Sequence, residues 1–274
     1  MTYRARRSAL YLPASNARAI DKARTVACDV VILDLEDAVA PEAKTDARAA
    51  AVAAIREGGF GARELVVRVN ALATPHGEAD LEALASVPPH AILIPKGCTH
   101  GDLTAVAARA PHVPLWAMIE TPAAILHLAS IAAAPGLAAL VMGTNDLAAD
   151  LGCTPGPDRM PLHCAMALTV AAARAYGLTV LDGVFNAIED DAGFAAEAAQ
   201  GAAFGFDGKT LIHPRQIAAC NAAFAPAPAA LAEARAVIAA FADPANAGQG
   251  AIRLGKRMIE RLHLAAAHRL LASA

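Results

Sequence analysis

The stretch VVILDLEDAVAPEAK, residues 30–44, runs an apolar segment straight into three carboxylates, Asp34, Glu36 and Asp37. The same join of an apolar run to polar side chains recurs down the chain. Apolar runs end at Pro13 and Ser15, at Arg68 and Asn70, at Lys96, at Glu120, at Asn145 and Asp146, at Asp182, and at Lys209 and His213. If these ends gather in one place, the carboxylates among them repel strongly unless a cation sits between them. The chain has five cysteines and nine histidines, all dispersed, and no HExxH, so a zinc-type cluster is not expected. Oxygen ligands in small number suit Mg²⁺, which keeps waters and takes one or two protein carboxylates plus substrate oxygens. The remaining acids would then hold the metal's waters and the neighbouring basic side chains. Arg68 offers a planar fork to a substrate carboxylate. For any single acid the competing assignment is a helix cap or a turn.

The elements that must position these residues are legible as an alternation. Short apolar runs at 9–12, 30–34, 65–69, 91–94, 115–119, 139–142, 179–181 and, weakly, 204–207 read as strands buried on both faces. Between them lie Ala-rich helical stretches near 17–27, 42–57, 81–84, 103–109, 123–132, 162–176, 192–199 and 214–222. Ser15, Asp102 and Thr121 stand where N-caps belong. Eight strands in strict alternation with helices predict an α/β fold, a (β/α)8 TIM barrel, whose chemistry sits at the C-terminal strand ends. No G-x-G-x-x-G follows any strand, which argues against a dinucleotide fold. The barrel should occupy 1–225. After Ala225-Pro-Ala-Pro228 a C-terminal helical extension, 226–274, should follow as two helices near 230–241 and 252–271.

Composition sets the outer bounds. Apolar residues make up 56 % and charged residues 18 % of 274 residues, enough for a large core. A net charge of −3 argues against a nucleic-acid partner. No uninterrupted apolar run approaches the ~18 residues of a membrane span, and the apolar part of the N-terminus is too short for a secretion signal. The odd, scattered cysteines predict reduced thiols and a cytoplasmic location. Lys44 and Glu42 are expected on the solvated first turn of a helix opened by Pro41. His213 reads as a packing or helix-opening residue, Asp182-Gly183 as a possible turn, and Trp116 and the methionines as core.

The motifs themselves are recognisable. RSALYLPASNARAIDKA (7–23), VVILDLEDAVAPEAKTDAR (30–48), VVRVNALATPHGEADLEAL (66–84), IPKG (94–97), MIETPAAI (118–125), VMGTNDLAADLG (141–152) and GFDGKTLIHPRQI (205–217) together resemble the citrate lyase beta-subunit family of the HpcH/HpaI aldolase superfamily. The resemblance covers nearly the whole chain. It implies a Mg²⁺-dependent TIM barrel that breaks or forms a carbon–carbon bond in 3-hydroxyacyl-CoA thioesters of the citryl, citramalyl or malyl type. The products would be a 2-oxo acid and an acyl-CoA.

Residue by residue, the resemblance implies metal ligation by Glu120 and Asp146 and a grip by Arg68 on the acid's carboxylate. It makes Glu36 and Asp37 the supporting acidic pair, with Lys96 beside them. Backbone amides near Thr144 and Asn145 would meet the substrate. Ser15, Asn16, Arg18 and Lys22 are the candidates for coenzyme A. The metal would stabilise charge on the substrate oxygen as a Lewis acid, and a general acid would protonate the acyl-CoA enolate. The family carries that acid on the C-terminal extension, which acts as a lid on a neighbouring subunit in a homotrimer or a hexamer. The family's pattern there is G-x-M-[IV]-Asp, a small residue and often Pro. Here Lys256-Arg-Met-Ile-Glu-Arg-Leu262 puts Glu260 where Asp is expected. A surface charge paired with Arg253, Arg257 or Arg261 is the alternative for Glu260. Rival activities are a 2-oxo acid aldolase without CoA and a non-catalytic beta subunit that depends on a carrier protein.

Overall fold

A computed structural model describes residues 4–96 and 99–272, so Cys98 and the Gly97 of IPKG lie outside the described residues. Eight parallel strands close into a barrel in sequence order. They are β1 (Ser8–Pro13), β2 (Val30–Asp34), β3 (Glu64–Arg68), β4 (Ala91–Ile94), β5 (Leu115–Ile119), β6 (Leu137–Met142), β7 (Thr179–Asp182) and β8 (Gly208–Leu211). The last was expected at 204–207. Those residues instead end a helix and turn, with Gly205 at φ +96 closing the helix, so the strand starts four residues later.

The helices that cover the barrel are α1 (Ala17–Ala23), α2 (Lys44–Glu57), α3 (Pro75–Ser86), α4 (His100–Arg109), α5 (Pro122–Leu126), α6 (Leu128–Ala132), α7 (Thr144–Leu151), α8 (His163–Tyr176), α9 (Asp191–Phe204) and α10 (Ile217–Ala223). The sequence pattern missed α7, whose residues TNDLAADL are short and polar at the start. Of the three expected caps, Thr121 accepts from Ala124 N–H as read. Asn16 rather than Ser15 caps α1, accepting from Ala19 N–H. Thr99 caps α4 in a capping box in which Asp102 is the fourth residue, not the cap.

Period-two alternation sorts the strands into two cores. Ala9, Ile32, Val66, Leu93, Trp116, Met118, Val141 and Leu181 fill the barrel interior. Their neighbours Leu10, Leu33, Val67, Ile94, Ala117 and Val180 pack outward against the helices. Each fully buried aliphatic side chain contributes about 1.5–3 kcal/mol. Trp116, Met118, Met142 and Met166 are buried as expected, but Met160 and Met258 are exposed, contrary to the expectation of core.

The chain divides into two compact units. Arg6–Phe224 is the barrel, and the second unit runs from Ala225 together with Arg4 and Ala5. Within that second unit α11 (Pro228–Ala242) packs on α12 (Arg261–Ala272). Between them an antiparallel hairpin, β9 (Ala251–Leu254) and β10 (Arg257–Glu260), replaces the first half of the long helix expected at 252–271. Gly255 at φ +60 makes its turn. Ile252 and Ile259 are cross-strand partners and both are buried, which explains why alternation overrode the helical pattern here. By length and composition Pro214–Ala242 is apolar enough for a membrane span, which counting uninterrupted runs did not detect. It is broken between α10 and α11, where Pro226 and Pro228 remove backbone donors.

Candidate functional site

The alternation that fills the barrel also decides which strand-end residues face its mouth. Ile32 and Val66 point inward, so Asp34 and Arg68, two residues on, do too. These two are lateral partners in the β2–β3 register. Arg68 donates from Nε to Asp34 Oδ1 at 2.7 Å and from Nη2 to Asp34 Oδ2 at 2.6 Å. This bidentate pair uses the broad side of the fork, correcting the expectation that Arg68 offers it to a substrate. Only Nη1 remains, 3.0 Å from Glu36 Oε2 and 3.5 Å from Asp37 Oδ2. Burial opposes the Arg68 charge, but Asp34, Tyr11 and Glu36 outweigh it and raise its pKa.

Lys96 brings the other cation. Its Nζ lies 3.0 Å from Asp37 Oδ1, 3.4 Å from Glu36 Oε1 and 4.0 Å from Asp146 Oδ1. Desolvation would lower its pKa, but these carboxylates raise it, so it stays an ammonium. Its backbone sits at φ +28, a sparsely populated conformation for a non-glycine residue. That strain accompanies a contact: Lys96 N–H donates to Glu120 Oε1 at 2.6 Å.

Glu120 follows the outward-facing Ile119 and is therefore aimed inward. It is 1 % exposed, and its Oε2 has no hydrogen-bond partner among the described residues. Burial raises its pKa to about 7, reinforced by Glu36 and Asp146 and opposed by the Lys96 N–H and by Arg68. A buried, unpartnered carboxylate oxygen costs free energy. With Glu120 the site holds five carboxylates, Asp34, Glu36, Asp37, Glu120 and Asp146, against two basic groups, Arg68 and Lys96. The acids outnumber the cations, and every donor is oxygen. That set fits a divalent hard cation held by Glu120 and Asp146, with waters and substrate filling the other positions.

Asp146 lies in the first turn of α7, and its side chain is 43 % exposed. Gly143 lets α7 approach. A Cβ there would stand 2.5 Å from Glu120 Oε2 and closer still to Glu120 Cβ. Gly143→Ala should therefore displace Glu120, leave the fold intact and weaken Mg²⁺ affinity by about tenfold or more, read by titration calorimetry. The cavity over this site has a volume of about 320 Å³ and is lined by Tyr11, Arg68, Met118, Gly143, Asp146 and Asn186 among others. It is large enough for a small acid.

Residues 7–214 match the HpcH/HpaI aldolase/citrate lyase family. The chain belongs to that family. It is 48 % identical over 268 residues to a (3S)-malyl-CoA thioesterase of Cereibacter sphaeroides, covering 98 % of this chain and 94 % of that protein. It is 36 % identical over 289 residues to the L-malyl-CoA/beta-methylmalyl-CoA lyase of Rhodobacter capsulatus, covering 94 % and 91 %. Among solved structures, CitE of Mycobacterium tuberculosis in complex with magnesium, acetoacetate and coenzyme A superposes with a TM-score of 0.80 at 32 % identity, covering 98 % of both chains.

Within this HpcH/HpaI barrel several strand-end residues serve structure instead. Asp182 follows the inward Leu181 and so faces outward, away from the cavity. Its lateral partner is Lys209, also fully buried. Lys209 Nζ donates to Asp182 Oδ2 at 3.1 Å, to Glu197 Oε1 at 2.7 Å and to Gly183 O. Arg159 Nη1 closes the group on Asp182 at 2.8 and 2.9 Å. Gly201 makes room, since a Cβ there would stand 2.7 Å from Asp182 Oδ2. Asn70 is likewise tied down: its N–H and its amide both donate to buried Asp80. His213 accepts from Arg215 N–H and opens the short helical turn before α10, as read. Lys44 is the clearest correction. It is 8 % exposed, not solvated, and its Nζ donates to the carbonyls of Leu35 and Glu36 at 2.8 and 2.7 Å. It thereby fixes the loop that carries Glu36 and Asp37. Glu42 is exposed as expected.

Ser15, Asn16, Arg18 and Lys22 form an exposed group after β1, with the Asn16 side chain already spent on its cap. Glu260 ends β10 and precedes α12, so it is not on a helix face. Two of the three arginines that could have neutralised it are engaged elsewhere: Arg257 with Glu233, and Arg253 with the Gly255 carbonyl. Sequence reading passed over Tyr11, which lines the cavity; its odd-numbered parity with Ala9 in β1 was the available signal.

Proposed function

We propose that the chain is a magnesium-dependent enzyme that acts on a malyl-type CoA thioester, a 3-hydroxyacyl-CoA with a carboxylate on the hydroxyl-bearing carbon. The observation that carries this reading is the unpartnered, buried Glu120 Oε2 in a site where carboxylates outnumber cations. Glu120 and Asp146 would hold the metal, which supplies Lewis-acid stabilisation of charge on the substrate oxygen when bound. Arg68 Nη1 meets the substrate carboxylate, while Asp34 holds its guanidinium at a fixed angle. Lys96, Glu36 and Asp37 fix the mouth of the cavity around it. The exposed Ser15, Arg18 and Lys22 would meet the coenzyme A.

Two bonds of such a substrate could break. Hydrolysis of the thioester is favoured by the 48 % identity to malyl-CoA thioesterases. Water oxygen then joins the acyl carbon, the C–S bond breaks, and sulfur takes the proton. Carbon–carbon cleavage is favoured by the 36 % identical lyases. There the hydroxyl proton is lost, the bond between the hydroxyl carbon and the α-carbon breaks, and the α-carbon gains a proton. In that reaction Glu260 is the proton carrier we propose, from the C-terminal extension of a neighbouring subunit in a cytoplasmic homotrimer or hexamer.

Malyl-CoA and Mg²⁺ with the pure protein separate the two. Hydrolysis releases malate and a free thiol; cleavage releases glyoxylate and acetyl-CoA without a free thiol. EDTA should stop either. Neither product from malyl-, citramalyl- or citryl-CoA would sink the enzyme reading. If cleavage is seen, Glu260→Gln should slow it by about 10²-fold or more while the Mg²⁺-induced rise in Tm persists. Full activity in that variant would leave Glu260 as a surface charge.

A further inference from the structure

Tyr11 sits on the barrel floor with its hydroxyl poorly served. Its ring lies under the Arg68 guanidinium, 4.9 Å from ring centroid to Cζ. Among the described residues its hydroxyl has one acceptor, Met118 Sδ at 3.8 Å. Arg68 Nη1, the one arm of the guanidinium not bound to Asp34, donates to the same sulfur at 3.7 Å. A thioether is a weak acceptor, so the hydroxyl of this half-buried tyrosine lacks the strong one that such groups ordinarily find. Two donors thus converge on one poor acceptor, Nη1 while also facing Glu36 Oε2 at 3.0 Å and the hydroxyl with no other partner among the described residues, and all three residues line the cavity.

We propose that the Tyr11 hydroxyl is a substrate-binding donor which, with Arg68 Nη1, takes one carboxylate oxygen of a small 2-hydroxy or 2-oxo acid. A carboxylate oxygen would outcompete the Met118 sulfur for both donors. The chemistry suits a neutral donor: Asp34 and Glu36 already draw on the Arg68 charge, and the hydroxyl adds a contact to an anion without burying another ion. Burial, with Asp34, Glu120 and Glu36 and against Arg68, raises the Tyr11 pKa, so the proton is present to be donated at any working pH. The inference rests on the reading of the cavity as an acid-binding site.

The test is titration calorimetry of glyoxylate and of malate, with Mg²⁺, into wild type, Tyr11→Phe and Met118→Leu. Tyr11→Phe keeps the ring and its stacking on Arg68, so folding and Tm should hold. Its affinity for the acid should fall about tenfold or more, the usual effect of losing a hydrogen bond to a charged group. Met118→Leu should bind the acid within about twofold of wild type, because the sulfur is only the displaced acceptor. Wild-type affinity in Tyr11→Phe overturns the proposal. So does an equal loss in Met118→Leu, which would show that the hydroxyl acts through the sulfur. Wild type that binds neither acid removes the acid-site reading itself, and this proposal with it.

Discussion

Glu120→Gln is expected to lower turnover by at least roughly 10³-fold and to abolish the effect of Mg²⁺ on stability. Glutamine keeps the acceptor for Lys96 N–H but cannot carry the charge that a metal ligand needs. Several kcal/mol of transition-state stabilisation should go with it, at about 1.4 kcal/mol per decade of rate. The metal-free protein should behave the opposite way. Glu120 has its pKa raised from 4.5 to about 7, so the folded state prefers the protonated form. Its contribution to stability is fully present below the unfolded value and is lost as pH rises through the folded one. Between those two pH values wild type without metal should lose up to about 3 kcal/mol from this group, and Glu120→Gln should not. Added Mg²⁺ should stabilise wild type most above about pH 7 and progressively less below it, because protons and metal compete for one carboxylate. Thermal melts from about pH 5 to about pH 8.5, with and without Mg²⁺, measure all of this. A wild-type Tm indifferent to Mg²⁺ across that range would refute the assignment.

Lys209→Met is expected to cost about 3–5 kcal/mol of folding stability, a large share of the roughly 5–15 kcal/mol available to a domain. Lys209 is fully buried against Asp182 and Glu197, and Arg159 Nη1 faces the same two carboxylates at 2.8 and 3.6 Å. Removing the ammonium leaves two carboxylates sharing one guanidinium between the barrel and α9, away from water. The double variant Lys209→Met, Asp182→Asn should recover part of the loss, since it also removes a charge the first change strands. Urea unfolding checks both, and a loss below about 1 kcal/mol for the single change would mean that water reaches the network. This group should add no pH dependence near neutrality. Although burial opposes it, Lys209 and Arg159 hold the Asp182 pKa below its ordinary 3.8. Its stabilisation is therefore present above that value and lost only as pH falls below it, so any loss of stability above pH 4.5 belongs to the mouth of the barrel, to Glu120 and to Glu36, whose pKa burial also raises.

The sequence by itself determined the barrel, because strands buried on both faces and the helices between them each carry a local signature. It also determined that acids and a few basic residues cluster at strand ends, since a join between an apolar run and a polar residue is visible without coordinates. What it could not determine was the direction of each side chain. Asp34 and Asp182 look alike in the sequence, each the last residue of an apolar run. The closed sheet turns Asp34 inward to Arg68 and Asp182 outward to Lys209, because each takes the parity its strand's hydrophobic packing fixes, and a shift of one residue reverses it. Lys44 reads as a surface residue on helical spacing. Only the return of α2 over the β2 loop supplies the two carbonyls that draw its ammonium inside. At Ile252–Glu260 the chain could satisfy a helical or an alternating pattern, and the pairing of Ile252 with Ile259 selected the hairpin. Local periodicity is written in the chain, whereas the partner a polar group meets lies outside its own element, eight or nine positions away for Lys44 and 34 for Arg68, and only the tertiary structure brings such groups together.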